Sequence, residues 1–127
     1  MNREELEKYI CEQYGIEADH PFPNDADSAV FRHPENKKWF ALFMCVKRKS
    51  LALVGECEAE IVNLKLPTLM LDSLLGESGF LPAYHMNKLH WITALLGDRS
   101  EDADDQSLLA ALDMSYDLTA QKRRRRE

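Results

Sequence analysis

The sequence is poor in cysteine and has no long apolar run. Its three cysteines, Cys11, Cys45 and Cys57, are odd in number and form no C-x-x-C unit, so three reduced thiols are expected rather than a disulfide framework or a structural zinc site. No stretch reaches the roughly 18 to 20 uninterrupted apolar residues that span a bilayer. The charged start at residues 1–5 also lacks the apolar core of a secretory signal. We therefore expect a cytoplasmic protein that makes no membrane contact.

Sequence motifs typical of known catalytic sites are also missing. The five glycines form no phosphate-binding loop, and no G-x-S-x-G elbow occurs. His85 and His90 are separated by a spacing that fits no helical or C-x-x-C ligand pair, so no metal site is predicted. The sequence favours a non-enzymatic protein that needs no cofactor, although an enzyme of unknown type is not excluded.

Charge is distributed unevenly along the 127 residues, whose formal net charge is −6. Residues 122–127 hold five cations and one anion and so contribute +4, which leaves −10 on residues 1–121. An acidic body repels phosphate backbones unless its cations are concentrated on one face. From length and composition we expect one domain over residues 1–120, followed by a disordered basic tail over residues 121–127.

Hydrophobic periodicity and caps predict the secondary structure. A helix at about 2–14 is indicated by the Asn2 cap, by Glu5 as its capping-box partner and by Gly15 as its stop. Helices are also predicted over 67–75 and 104–119, and strands over 29–31, 39–46, 51–54, 61–66 and 90–95. The segment 79–87 is predicted to be extended and irregular.

This order of elements predicts an α+β fold. We expect a two-layer sandwich in which the first and last helices lie on the same face of an antiparallel sheet, with residues 39–46 near its centre. Alternation in the strand 61–66 places Val62, Leu64 and Leu66 inward and Asn63 and Lys65 on the opposite face.

A family resemblance rests on three stretches. Residues 82–93 read PAYHMNKLHWIT and resemble the P-x-Y-H-M-N-K-x-H-W-I-x motif of the MmcQ/YjbR family. Residues 62–65 resemble the N-L-K strand of that family, and Ser115 with Tyr116 resembles the S-Y pair of its last helix. The resemblance covers roughly residues 2–120. It implies a fold similar to the bacterial frataxin homologue, a bacterial cytosolic protein, and DNA binding by a proposed double-wing mode of docking.

The predicted contact residues combine the motif with cations at strand ends. They are Lys47, Arg48, Lys65, Tyr84, His85, Asn87, Lys88 and His90. In this interpretation Lys88 holds a phosphate or carboxylate, and Tyr84 or Trp91 stacks on a ring. The alternative interpretation is structural: the indole belongs to the core, His90 bonds to backbone and the motif is a turn. We expect Trp91 to be largely buried and Lys88 to be exposed.

Two functions from different classes follow from these residues. The first is binding of duplex DNA by a monomer that contacts backbone phosphates with strand-end and loop cations, including Lys37, Lys38 and Lys49 if they converge. The alternative is a module that binds a small anion or a protein partner through segment 84–91. For residues 47–49 a solvated hairpin tip remains an alternative to a phosphate contact.

Overall fold

The computed structural model describes residues 1–120, which form three α-helices and a five-stranded sheet. The basic tail predicted at 121–127 lies outside the described residues. The helices are α1 (Arg3–Tyr14), α2 (Thr68–Leu75) and α3 (Asp105–Thr119). The strands are β1 (Ala29–Arg32), β2 (Trp39–Lys47), β3 (Glu58–Lys65), β4 (Phe80–Pro82) and β5 (Trp91–Leu95). None of the helices in these residues is long and apolar enough to cross a membrane.

The helix ends follow the predicted caps. The Asn2 side chain accepts from the Glu5 N–H at 2.8 Å, and the Glu5 carboxylate accepts from the Asn2 N–H at 2.9 Å. Gly15 ends α1 at a φ of 68°, in the left-handed region that favours glycine. Asp104 caps α3 by accepting from the Ser107 N–H at 3.1 Å. These local contacts confirm the predicted starts of the first and last helices.

The sheet has the order β1-β2-β3-β5-β4, and every neighbouring pair is antiparallel. All three helices contribute to one core on a single face of this sheet, so the predicted two-layer α+β fold is confirmed. Val62 and Leu64 face that core, as the alternation predicted. The largest side chains fully buried in this core are Leu6, Ile10, Phe31, Phe40, Phe43, Leu64, Leu66, Ile92, Leu108 and Leu112.

One predicted strand is absent, and one strand lies in a segment predicted to be extended and irregular. Residues 51–54 are not a strand, because the chain forms a 3₁₀ turn at Arg48–Leu51 and then passes through Ala52 at a φ of 59°. A left-handed residue directly after a tight turn interrupts any ladder. Conversely, Phe80–Pro82 is the edge strand β4, which pairs with β5. Three residues are too few to show an alternating pattern.

The helix-free face of the sheet carries a second, smaller core. Val46, Ala59, Ile61 and Leu95 are buried there. Strand β4 and the chain segments that follow β2 and β4 cover them, through partly buried Leu51, Leu53, Leu81 and Tyr84 among others. This second cluster explains why β2 is apolar on both faces of its alternating pattern.

Helix α3 is joined to the sheet by a buried hydroxyl. Ser115 is fully buried, donates to the Phe40 carbonyl at 2.6 Å and accepts from the Lys65 N–H at 2.9 Å. Next to it, Tyr116 stacks on Tyr14 with ring centroids 4.0 Å apart. The S-Y pair of the last helix therefore connects α3 to β2, to β3 and to α1.

Replacing Ser115 tests this connection. Ser115→Ala leaves a buried carbonyl and a buried N–H without their partner, so we expect it to lower the free energy of unfolding by about 1 to 3 kcal/mol. Urea unfolding followed by circular dichroism measures the change. The control is Ser73→Ala on the exposed side of α2, for which a change within about 0.5 kcal/mol is expected. Equal effects of the two substitutions would contradict the assigned role.

Candidate functional site

The predicted basic residues lie at two opposite ends of the sheet. Lys47 of β2 is opposite Glu58, where β3 begins, and Trp91 of β5 is opposite Lys65, where β3 ends. At about 3.3 Å per residue, the two ends of β3 are roughly 23 Å apart. The cations therefore do not converge into one positive edge, as they would if all of them gripped the same ligand.

The end that carries Lys47 is rich in carboxylates, and we call it the acidic end. Its shallow cavities are lined by Glu56, Glu58, Glu60, Asp98, Asp102, Asp104 and Asp105. Arg48 is buried here, and its Nη2 lies 3.1 and 3.2 Å from the two carboxylate oxygens of Glu101. Its Nε donates to the Val54 carbonyl at 2.6 Å. Because the guanidinium is committed to these partners, Arg48 is removed from the predicted contact set.

The opposite end, which we call the basic end, presents Lys37, Lys38, Lys65 and Lys88. Lys65 is half-buried and the other three are exposed. None of the four forms a salt bridge with another described residue. Anions in this part of the molecule include Glu35 in the β1–β2 turn, Asp117 on α3, Asp25 in the loop before β1, and Asp19, which is paired with Arg32. The ammonium groups of the basic end are thus available to an external anion.

Two buried polar side chains hold the motif loop against the helix-free face. The Tyr84 N–H donates to the Thr93 hydroxyl at 2.8 Å, and the Asn63 amide donates to the Tyr84 carbonyl at 3.2 Å. The Thr93 hydroxyl in turn donates to Asn63 Oδ1. Both Asn63 and Thr93 are fully buried. The alternation of β3 predicted that Asn63 lies on this face, but its role depends on Thr93, which is opposite it on β5.

The middle of the motif is a turn built on Asn87. Its Oδ1 accepts from the Leu89 N–H at 2.9 Å, and its carbonyl accepts from the N–H groups of His90 and Trp91 at 3.1 and 2.9 Å. The turn leaves Lys88 and His90 exposed, as predicted for Lys88. The Asn87 side-chain oxygen therefore has a structural role, whereas Lys88 and His90 remain candidate contacts.

The aromatic residues of the motif lie on the helix-free face. Trp91 is half-buried rather than largely buried, because Ile92 and Ala94 point into the helix-side core and the indole points away from it. The rings of Tyr84 and His85 stack with centroids 4.0 Å apart and an interplanar angle of 12°. His85 has a φ of 58°, so its exposed ring is presented by a left-handed residue.

A buried histidine that sequence analysis did not select supports the basic end. His33 Nε2 lies 2.9 Å from the Thr119 hydroxyl and 3.1 Å from the Tyr116 carbonyl. Asn36 donates to the Thr119 carbonyl at 2.9 Å. These contacts fix the β1–β2 turn, and with it Lys37 and Lys38, to the last turn of α3. No local pattern in the sequence indicates a contact between residues so far apart.

Two ionisable groups have shifted pKa values with clear causes. The hydrogen bond from the Ser28 hydroxyl lowers the pKa of the Asp25 carboxyl, with further N–H donors from Ser28 and Asp27. Burial raises the pKa of the Cys45 thiol to about 11, with added repulsion from Glu60 and Glu58. At neutral pH Asp25 is therefore ionised and Cys45 is a neutral thiol.

Among residues 1–120, no three His, Cys, Asp or Glu side chains form a group that could hold a metal ion.

The fold and the site define an α+β domain whose antiparallel sheet separates an acidic end from a basic end. The sequence model described as YjbR matches residues 11–118, and the chain belongs to the YjbR family. The Bacillus subtilis protein YyaQ, described as uncharacterized, is 36% identical over 119 residues, which are 94% of this chain and 98% of that protein.

Solved structures agree with this assignment. A crystal structure of a Pseudomonas syringae protein is 35% identical, with a TM-score of 0.89, and the match covers 94% of this chain and 100% of that one. A solution NMR structure of a P. syringae protein gives a TM-score of 0.86 at 33% identity, over 99% and 98% of the two chains. The Deinococcus radiodurans protein DR2400 shares the fold, with a TM-score of 0.66 at 21% identity over 92% of this chain and 77% of that one.

The attachment of the motif loop is open to a direct test. Thr93→Val removes the hydroxyl that joins Tyr84 to Asn63, so we expect hydrogen exchange at the Tyr84 amide to become faster by about tenfold or more. Exchange measured by NMR checks this. Ser73→Ala removes an exposed hydroxyl of α2 outside the motif, so it is the control and should leave that amide unchanged. An unchanged exchange rate in Thr93→Val would show that the hydrogen bond does not hold the loop.

Proposed function

We propose that this protein is a non-catalytic DNA-binding module that contacts duplex phosphates through its basic end. The observation that carries the proposal is the segregation of charge: Lys37, Lys38, Lys65 and Lys88 are free of salt bridges within the described residues and lie at the end of the sheet remote from the acidic end. Residues 1–121 carry a net charge of −10 and should repel phosphates on average, but this repulsion does not apply where the cations are concentrated. A local cluster of cations binds phosphates even on an acidic protein.

The arrangement of the cations suits a polyanion. Lys65 and Lys88 are placed by β3 and by the turn before β5, while Lys37 and Lys38 are placed by the β1–β2 turn. Separate cations spread over one end match the repeating charges of a nucleic-acid backbone, with each contact releasing counterions. The acidic end repels phosphates, so it orients the protein with its basic end toward the duplex.

The end of α3 supports the same orientation. Ala120 follows the turn of α3 that is bonded to His33 and Asn36, so the described chain ends at the basic end. The sequence continues with five cations at residues 122–126. These cations follow the basic end in sequence, and a run of basic residues adds to the attraction for any polyanion.

The contact set proposed for DNA differs from the one predicted by sequence. Lys65, Lys88, His85, His90 and Tyr84 remain in it, whereas Lys47 is at the acidic end and Arg48 is paired with Glu101. His85 and His90 are exposed, which suits donors to phosphate or base. The proposal describes a cytoplasmic monomer that uses no cofactor.

A protein partner is the second candidate, and one observation favours it. Leu69 and Leu89 are 89% and 67% exposed, and the Thr68 hydroxyl next to Leu69 contacts the Leu89 carbonyl at 3.4 Å. Two neighbouring exposed leucines beside Lys88 resemble the apolar centre and charged rim of a protein interface.

A small anion is a further alternative. If Lys65 and Lys88 bound such an anion, inorganic phosphate would compete with DNA for them.

Salt dependence tests the DNA proposal. In the full chain we expect Lys65→Ala with Lys88→Ala to weaken binding of a short duplex and to flatten the slope of log affinity against log salt by about two units, close to one per lost phosphate contact. Fluorescence anisotropy between about 50 and 200 mM salt measures both quantities.

Two further variants make that result specific. Lys47→Ala with Lys49→Ala removes the same charge at the acidic end and should leave the slope unchanged. A chain that stops at Ala120 should bind more weakly but still respond to the Lys65 and Lys88 substitutions. If removal of residues 121–127 abolished all binding, the tail would be the whole attraction and the proposal for the folded domain would be wrong.

A further inference from the structure

The helix-free face has a cavity next to the basic end that the phosphate contacts do not use. It lies between the loop that precedes β1 and the motif loop, and has a volume of about 260 Å³. Its lining is mainly apolar and aromatic: Phe22, Trp39, Leu42, Met44, His85 and Met86. Trp39 directly follows Lys38 in the chain, so this wall of the cavity begins where the turn that carries Lys37 and Lys38 ends.

The aromatic walls are held in place by their neighbours. Phe22 meets Trp39 edge to face, with centroids 5.9 Å apart and an interplanar angle of 83°. His85 is stacked on Tyr84, whose backbone is fixed by Thr93 and Asn63. The contacts that secure the motif loop therefore also secure one wall of the cavity. A ring that enters it would stack without first having to order the side chains.

Polar groups at the walls include both donors and acceptors. The Trp39 indole and the His85 imidazole form no hydrogen bond with another described residue, which leaves both rings free to donate. Across the cavity, Asp25 Oδ2 accepts from the Ser28 hydroxyl at 2.5 Å and has a further lone pair available. An apolar body with donor and acceptor edges is the chemistry of a nucleobase, which carries ring nitrogens and carbonyls beside exocyclic amines.

We infer that this cavity binds an unpaired nucleobase of a strand whose phosphates lie on Lys37 and Lys38. The inference rests on the DNA-binding function proposed above and adds a preference to it. A paired base has its polar edge occupied and its faces stacked, so it cannot enter a cavity of this size. An unpaired base can turn into the cavity, stack on Trp39 or His85 and present an amine to Asp25. The protein should therefore prefer single-stranded or locally unpaired DNA to a continuous duplex.

The test compares strands that differ only in their bases. The full chain is titrated with labelled oligodeoxyadenylate, with an abasic strand of the same length, and with a fully paired duplex, each at the same salt. We expect the base-bearing strand to bind about tenfold more tightly than the abasic strand, the size of effect that one stacked base produces. In Trp91→Phe, where Trp39 is the one remaining tryptophan, that strand should also quench the fluorescence.

Two variants connect the preference to the cavity. Trp39→Leu keeps an apolar side chain but removes the indole, and His85→Asn keeps a residue that tolerates the left-handed backbone but removes the imidazole. Because His85 is exposed, its variant should fold even if Trp39→Leu does not. Each should reduce the difference between the base-bearing and abasic strands, while the salt slope stays the same.

The outcomes separate this inference from the function on which it rests. Equal binding of base-bearing and abasic strands, with a salt slope that still depends on Lys65 and Lys88, would overturn the base cavity and leave the DNA-binding proposal intact. If the parent and both variants preferred the base-bearing strand to the abasic strand equally, the base would bind elsewhere. That result would also overturn the base cavity. Absence of binding to every strand and to the duplex would overturn both proposals.

Discussion

The basic end of this protein depends on the two hydrogen bonds of one buried hydroxyl. Ser115 occupies the place where Phe40 and Lys65 would continue the β2–β3 ladder, and it satisfies the carbonyl of one and the N–H of the other. Because an unsatisfied backbone group in the core costs free energy, this contact favours the position of α3 in which Ser115 meets both groups. That position brings the last turn of α3 to His33, which holds the β1–β2 turn and its lysines.

Several side chains of the family motif have structural roles. The Thr93 hydroxyl accepts from the Tyr84 N–H and donates to Asn63, whose amide donates to the Tyr84 carbonyl. The Asn87 side-chain oxygen accepts from the Leu89 N–H within the turn. The groups that remain for an external ligand are Lys88, the exposed histidines and the faces of the aromatic rings. A rigid sheet that fixes a loop in this way is a common basis for a binding site.

Features that depend on interactions between residues close in sequence were predicted correctly. Features that depend on residues far apart in sequence were not. The capping box of α1 and the alternation of β3 depend on neighbours within a few residues, and both were found. Arg48 was misjudged because its partner Glu101 is 53 residues away. Trp91 was misjudged because alternation shows that two faces differ but not which face the helices cover. The segregation of charge into two ends could not be predicted from the sequence, because it depends on the order of the strands in the sheet.

The central claim is that the basic end alone faces the nucleic acid. Amide chemical-shift changes in the full chain, recorded by NMR during titration with a short duplex, test it most directly. We expect the shifts to concentrate at Lys37, Lys38, Lys65 and Lys88, and the amides of Lys47 and Lys49 to stay unchanged. Shifts of equal size at both ends of the sheet, or shifts confined to residues 121–127, would contradict it.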